Sequence, residues 1–213
     1  MKIMLFGASG LVGGLLAPLL ASHDLIVVGR RASGIGKERV ARIEDWPGVI
    51  AEMQPHVVVS TLGTTISKAG SRDAFAAIDH DAVVAVATAG RTAGARQFIM
   101  VSSVGADARS SAFYIATKGR AEASVTALGY ERLDIFRPGL LVGERTGDPR
   151  FAERLAITLS PLTNALTPRQ FDRYRAIAAA DVASAMARAV GAAGSGVHIH
   201  HNREMLESPR NLA

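Results

Sequence analysis

The 213-residue chain contains no cysteine, which removes thiol nucleophiles, cysteine-bound zinc and disulfides from consideration. It also lacks an uninterrupted apolar run of spanning length, because Pro18, His23 and Asp24 break the first apolar stretch and later ones are shorter. Lys2 leads straight into a strand pattern, and no small-residue cleavage site follows a long apolar core, so no signal peptide is expected. A cytoplasmic protein without a membrane partner is the expectation. A basic run with interleaved aromatics is missing too. The formal charge of +5, from 24 Lys+Arg against 19 Asp+Glu, is scattered, which argues against a nucleic-acid partner. No internal repeat is present, and 191–196 reads as a short Gly/Ala linker.

With 48% hydrophobic residues, the chain can bury the core of one domain with a small elaboration. Strand-like runs at Lys2–Phe6, Asp24–Gly29, Arg42–Asp45, His56–Ser60, Gln97–Ser102 and Arg132–Arg137 alternate with helix-like runs at Leu11–Ala21, Pro47–Met53, Arg72–Ala89 and Ala112–Leu128. That alternation predicts an α/β fold: a Rossmann-like, doubly wound parallel sheet with helices on both faces. Further helices are expected at Phe151–Leu159, Pro168–Arg175 and Ala180–Val190. Residues 143–175 read as a small C-terminal cap over the substrate end of a single domain, 1–213.

In such a sheet the loops after the strands carry the ligand. The first strand runs into Gly7-Ala8-Ser9-Gly10-Leu11-Val12-Gly13, a G-x-x-G-x-x-G spacing that then opens an apolar helix. This is the context a dinucleotide phosphate loop requires. Gly7 permits a tight turn, Gly10 lets backbone approach a pyrophosphate, and Gly13 lets the helix pack close to the sheet. The second strand ends in Arg30-Arg31, and the first nearby acid is Glu38. An acid there would suit a free ribose 2′-hydroxyl, whereas arginine suits a 2′-phosphate, so NADP is favoured over NAD. Thr61-Leu62-Gly63, after the fourth strand, is small enough to let the cofactor lie against backbone.

Chemistry is expected at two later segments. The fifth strand ends in Ser102-Ser103, and Tyr114 and Lys118 stand one helical turn apart on a common face. A free phenol is a poor acid or base at neutral pH, but a neighbouring ammonium favours its anion. Lys118 can supply that charge and also hold the nicotinamide ribose. Ser103 can donate a hydrogen bond to a substrate oxygen while Tyr114 gives or takes the proton.

The stretches GASGLVG, VVGRR, STLGTT followed by KAG, VSSVGAD, FYIATKGRAE and FRPGLLVGER together resemble the short-chain dehydrogenase/reductase superfamily. Within it they resemble the atypical branch typified by the Tat-interacting protein of 30 kDa. The likeness covers about residues 1–145 and fades beyond Arg145. It implies an NADP-binding fold and a catalytic Ser103 (or Ser102), Tyr114 and Lys118, with Ser102 and Pro138 near the nicotinamide. It also implies a possible homodimer, since the helix carrying Asp79, His80 and Asp81 supplies dimer contacts in relatives. One departure stands out. Many members carry a catalytic asparagine on that helix, but here asparagine occurs only at 164, 202 and 211.

The resulting expectation is an NADP-dependent oxidoreductase acting on a small carbonyl or alcohol. Two other readings stay open: an NADPH-binding regulator without turnover, and a sugar-nucleotide epimerase or dehydratase. Asp79, His80 and Asp81 are expected to form a solvated helix face. The run His198-Ile199-His200-His201 is expected to be a late strand with solvated histidines rather than a metal site. Arg145, Arg150, Arg154 and Arg169 are expected to be surface charge.

Overall fold

The computed structural model describes residues 1–143 and 173–207. Its centre is a seven-stranded, wholly parallel sheet built from β1 (Lys2–Phe6), β2 (Asp24–Gly29), β3 (Lys37–Val40), β4 (Val57–Ser60), β5 (Gln97–Val101), β6 (Arg132–Phe136) and, late in the chain, β9 (Gly196–His200). Between the last two lie β7 (Leu141–Val142) and β8 (Ile177–Ala178), which pair with each other. The large sheet runs β3-β2-β1-β4-β5-β6-β9. Strand order reverses direction at β1, so the switch point of this doubly wound sheet opens between the ends of β1 and β4.

A parallel sheet covered on both faces needs strands that are apolar on both sides. Side chains alternate across a strand, and Ile3 and Leu5 of β1 accordingly enter one core while Met4 and Phe6 enter the other. On the first face lie α1 (Leu11–Leu19) and α7 (Ala179–Ala189), contributing Val12, Leu16, Val182 and Met186. The second face is covered by α2 (Trp46–Met53), α5 (Val83–Thr92) and α6 (Phe113–Thr126), through Ile50, Val86 and Val125. Two short helices, α3 (Ile66–Ala69) and α4 (Arg72–Ala76), precede α5, and α8 (Asn202–Leu206) follows β9.

Two expectations about elements need correction. The third strand is Lys37–Val40, not Arg42–Asp45, and Ile43–Asp45 forms a 3₁₀ turn. This is an edge strand, held by backbone pairing to β2 alone, so a charged, largely exposed Lys-Glu-Arg-Val sequence suffices and blunts the edge. Arg72–Ala89 is continuous helical backbone, but Ala77–Ala82 within it is π-helical. The cap helices Phe151–Leu159 and most of Pro168–Arg175 fall outside the described residues, as do Arg145, Arg150, Arg154 and Arg169.

The other edge is locked by a buried acid. Alternation turns Asp134 toward the first core, where it is fully buried. Its carboxylate accepts bonds from Gln97 Nε2 at 2.8 Å, Arg132 Nε and Nη2 at 2.8 Å each, and His200 Nε2 at 2.9 Å. Arg132 also donates to the Gly194 carbonyl in the α7–β9 connection, and Gln97 to the Ala189 carbonyl at the end of α7. The histidine strand is therefore present, but His200 is not solvated: its ring stacks on Phe136 at 4.3 Å. Burial opposes the charge of Asp134, yet hydrogen bonds from His200, Arg132 and Gln97 outweigh it and hold the carboxyl below its ordinary range.

Asp134→Asn leaves the Arg132 guanidinium without its counter-charge and should cost about 3–5 kcal/mol in urea unfolding. A depressed carboxyl stabilises the fold above the unfolded-state value near 3.8 and loses that contribution as pH falls through its lower folded value. The wild-type urea midpoint should therefore drop below about pH 4 more steeply than that of Asp134→Asn.

Candidate functional site

A crevice of two lobes runs along the carboxyl ends of the strands. The first, of about 450 Å³, is lined by Gly7–Gly10, by the β2 end with Arg30 and Arg31, and by Trp46. The second, of about 640 Å³, is lined by Leu11, Val12, Ser102, Ser103, Tyr114, Lys118 and Pro138. Gly10 and the loop Thr61–Thr64 belong to both, so the lobes meet over the switch point.

The floor of the junction is set by close backbone contact. Gly7 turns with φ +93°, and a Cβ there would stand 2.7 Å from the Thr61 carbonyl carbon. Thr61 in turn donates from its N–H and its hydroxyl to the Phe6 carbonyl, at 2.8 and 3.0 Å. Gly13 lines neither lobe. A Cβ on it would lie 2.3 Å from the Gly7 carbonyl oxygen, so its absence lets α1 sit against the turn. The first N–H groups of α1, unpaired within the helix, belong to Leu11 and Val12, which line the second lobe beside the junction.

At the far end of the first lobe Arg30 and Arg31 are exposed. Neither guanidinium has a partner among the described residues. Glu38, the acid that could serve a ribose hydroxyl, is instead bonded to Ser33: its carboxylate accepts from the Ser33 hydroxyl and, at 2.6 Å, from the Ser33 N–H. Those bonds, the hydroxyl's first, hold the Glu38 carboxyl below its ordinary range. The donor set at this end is thus two free cations with the nearest acid already engaged, which fits a dinucleotide bearing a 2′-phosphate.

The second lobe gathers the residues expected to do chemistry. Ser102 and Ser103 directly follow β5, and both line it. The Ser102 hydroxyl is buried with no hydrogen-bond partner among the described residues, whereas the partly buried Ser103 hydroxyl makes a long 3.4 Å contact to the Val104 carbonyl. Tyr114, in the first turn of α6, is 37% exposed, with its ring 5.5 Å from that of Phe75. Pro138 is buried, and its carbonyl accepts from Val104 N at 2.9 Å, joining the loops after β5 and β6. The same β6 loop is fixed on its other side, where the Asn202 side chain accepts from Gly139 N at 2.9 Å and donates to the Arg175 carbonyl at 2.7 Å.

Lys118 holds the main departure from expectation. Its ammonium is buried and ion-paired at 2.7 Å with Asp79, whose side chain is fully buried. The other Asp79 oxygen accepts from Thr64 N at 2.8 Å. Asp79 therefore does not belong to a solvated face. Regular α-helical spacing assigned it there, but it sits in the π-helical turn, which re-aims a side chain relative to its α-helical neighbours. A signal was available: it is an acid in a helix whose neighbours Ile78, Ala82 and Val83 are apolar. His80 pairs with adjacent Asp81 at 2.7 Å, and only Asp81 is exposed.

Among the described residues, no group of three or more His, Asp or Glu side chains is placed to hold a metal ion, and no helix is long and apolar enough to cross a membrane.

Comparison with known proteins supports the same frame. Protein FMP52-1, mitochondrial, of Scheffersomyces stipitis is 33% identical over 168 residues, 74% of each chain. Protein fmp52, mitochondrial, of Emericella nidulans is 33% identical over 170 residues, 73% of this chain and 72% of that one. The relatives are named as mitochondrial proteins, which overturns the cytoplasmic expectation. That expectation rested on the lack of a spanning run and of a secretory signal pattern, neither of which distinguishes the cytoplasm from an organelle reached by a different targeting signal. Among solved structures, UDP-glucose 4-epimerase of Thermotoga maritima superposes with TM-score 0.72 at 16% identity, over 94% of this chain and 77% of that one. The dTDP-4-dehydrorhamnose reductase of Bacillus anthracis, in complex with NADP, gives 0.67 at 17%, over 95% and 75%. At such identities the likeness is one of fold, that of NAD(P)-binding Rossmann proteins. The family described as "NAD dependent epimerase/dehydratase family" matches residues 3–201, and the chain belongs to it.

Proposed function

We propose that the protein is an NADP-dependent oxidoreductase of the short-chain dehydrogenase/reductase type, moving hydride between nicotinamide and a small carbonyl or alcohol. The observation that carries this reading is the continuity of the crevice. It leads from two unpartnered arginines, past the Gly7–Gly10 turn, to Tyr114, Lys118 and the β5 serines. The 2′-phosphate would lie on Arg30 and Arg31, the pyrophosphate on Gly7–Val12, and the nicotinamide half against Thr61–Gly63, Ser102, Lys118 and Pro138. NADPH, when bound, supplies the hydride. In carbonyl reduction Ser103 donates a hydrogen bond to the substrate oxygen and Tyr114 gives that oxygen its proton. Lys118 holds the ribose hydroxyls and supports the phenolate left behind. In alcohol oxidation the proton returns to Tyr114.

Ser103 is assigned to substrate because its hydroxyl is the more accessible of the two, and Ser102, buried and unpartnered, is assigned to the cofactor. A single domain with 143–175 as its substrate cap is supported by Gly143 and Tyr174, which flank the undescribed part of that segment and line the second lobe. Placement in the atypical branch typified by the Tat-interacting protein of 30 kDa rests on the motifs through Arg145.

Trp46 is the sole tryptophan and lines the adenosine lobe, so it reports cofactor binding by fluorescence. NADPH should bind at least about tenfold more tightly than NADH, and Arg30→Ala with Arg31→Ala should erase that preference. Equal affinities in the wild type would remove NADP specificity. In a panel of small carbonyls, Tyr114→Phe should lower turnover by about 10²–10⁴-fold while NADPH affinity is retained. Undiminished turnover would sink the assignment, and tight NADPH binding with no turnover in the wild type would favour the regulator.

A further inference from the structure

The nicotinamide lobe contains a charge that the Ser, Tyr and Lys set does not use. Asp79 lines it, fully buried, 2.7 Å from the Lys118 ammonium. A buried carboxylate is costly without a partner, and this one is held by two: the ammonium and the Thr64 N–H. The loop is moulded to the pair. At Gly63, the position of an added Cβ lies 3.5 Å from Asp79 Oδ1 and 3.7 Å from Lys118 Nζ. The π-helical turn Ala77–Ala82 delivers Asp79 to this place, and such turns occur frequently at functional sites.

We propose that Asp79 is a cofactor-positioning residue that sets the balance between oxidised and reduced nicotinamide by neutralising Lys118. A lone buried ammonium beside the ring would repel the cationic NADP⁺ ring and leave the neutral NADPH ring unaffected. Paired with Asp79, Lys118 keeps its remaining donors for the ribose hydroxyls and for the Tyr114 oxygen, while the pair presents no net charge to the ring. The other charged side chain lining this lobe among the described residues, Lys68, is exposed on α3, where water screens it. Asp79 acts through Lys118 and through the Thr64 loop, and it touches no substrate.

This inference rests on the nicotinamide lying in the second lobe. Its test is the ratio of NADP⁺ to NADPH affinity, read from Trp46 fluorescence at fixed pH and salt. Asp79→Asn keeps an oxygen for Thr64 N–H but leaves Lys118 unbalanced. It should weaken NADP⁺ relative to NADPH by about three- to thirtyfold. Lys118→Met leaves the carboxylate unbalanced and should move the ratio the opposite way, even though lost ribose bonds weaken both forms. Joining the two substitutions should return the ratio to the wild-type value. Each variant carries its own direction, so a folding failure in one leaves the other decisive. A ratio that stays constant, or equal loss of both forms, would overturn the proposal and mark the pair as structural only. If wild-type protein binds neither form, the proposed function fails instead, a result separable from an unmoved ratio.

Discussion

The crevice depends on one close approach. Where β1 ends, the chain must turn while the loop from β4 crosses directly against it, and a Cβ on Gly7 or Gly13 would stand within 2.7 Å of backbone there. Relief of that contact would push α1 off the sheet and separate the strand ends. The loop Thr61–Thr64 would lose its seat on the Phe6 carbonyl. Because this loop floors both lobes, a phosphate cradle and a chemical site share a single support.

A second layer of order comes from α6, which anchors both sides of the chemical lobe with buried charge. Lys118 reaches Asp79, and one turn later the buried Glu122 takes a bidentate pair from Arg137 at the end of β6. Residues four apart share a helix face, so one stripe of α6 fixes the Thr64 loop and the loop of Pro138 together. Such pairs add little net stability compared with apolar packing, but breaking one partner is expensive. They therefore resist small displacements of the loops they join, which is the property a site that aligns two reactants needs.

Much of this was legible in the sequence where periodicity or spacing has a single physical meaning. The apolar runs around Ile3–Phe6 and Val57–Val59 could only be strands buried on both faces, and Gly7–Gly13 had the strand–turn–helix context its spacing demands. Tyr114 and Lys118 were legible because one helical turn fixes their relation without long-range knowledge. The edge strand Lys37–Val40 was not, because it needs backbone pairing on one side and no apolar side chains. His200 was misjudged for a different reason: its partners, Asp134 and Phe136, are distant in sequence and meet it only through the parallel pairing of β9 with β6.

Asp79 marks the boundary between the two kinds of information. The sequence alone determined the doubly wound sheet, the dinucleotide turn and the identity of the side chains available for chemistry, since these follow from local pattern and from residue type. Only the tertiary structure decided which charges meet. A π-helical turn moved Asp79 from an assumed solvated face to the Lys118 ammonium, and folding brought Glu38 onto Ser33 while leaving Arg30 and Arg31 without a partner among the described residues. Pairing energy depends on distance and on exclusion of water, and neither is fixed until distant segments pack.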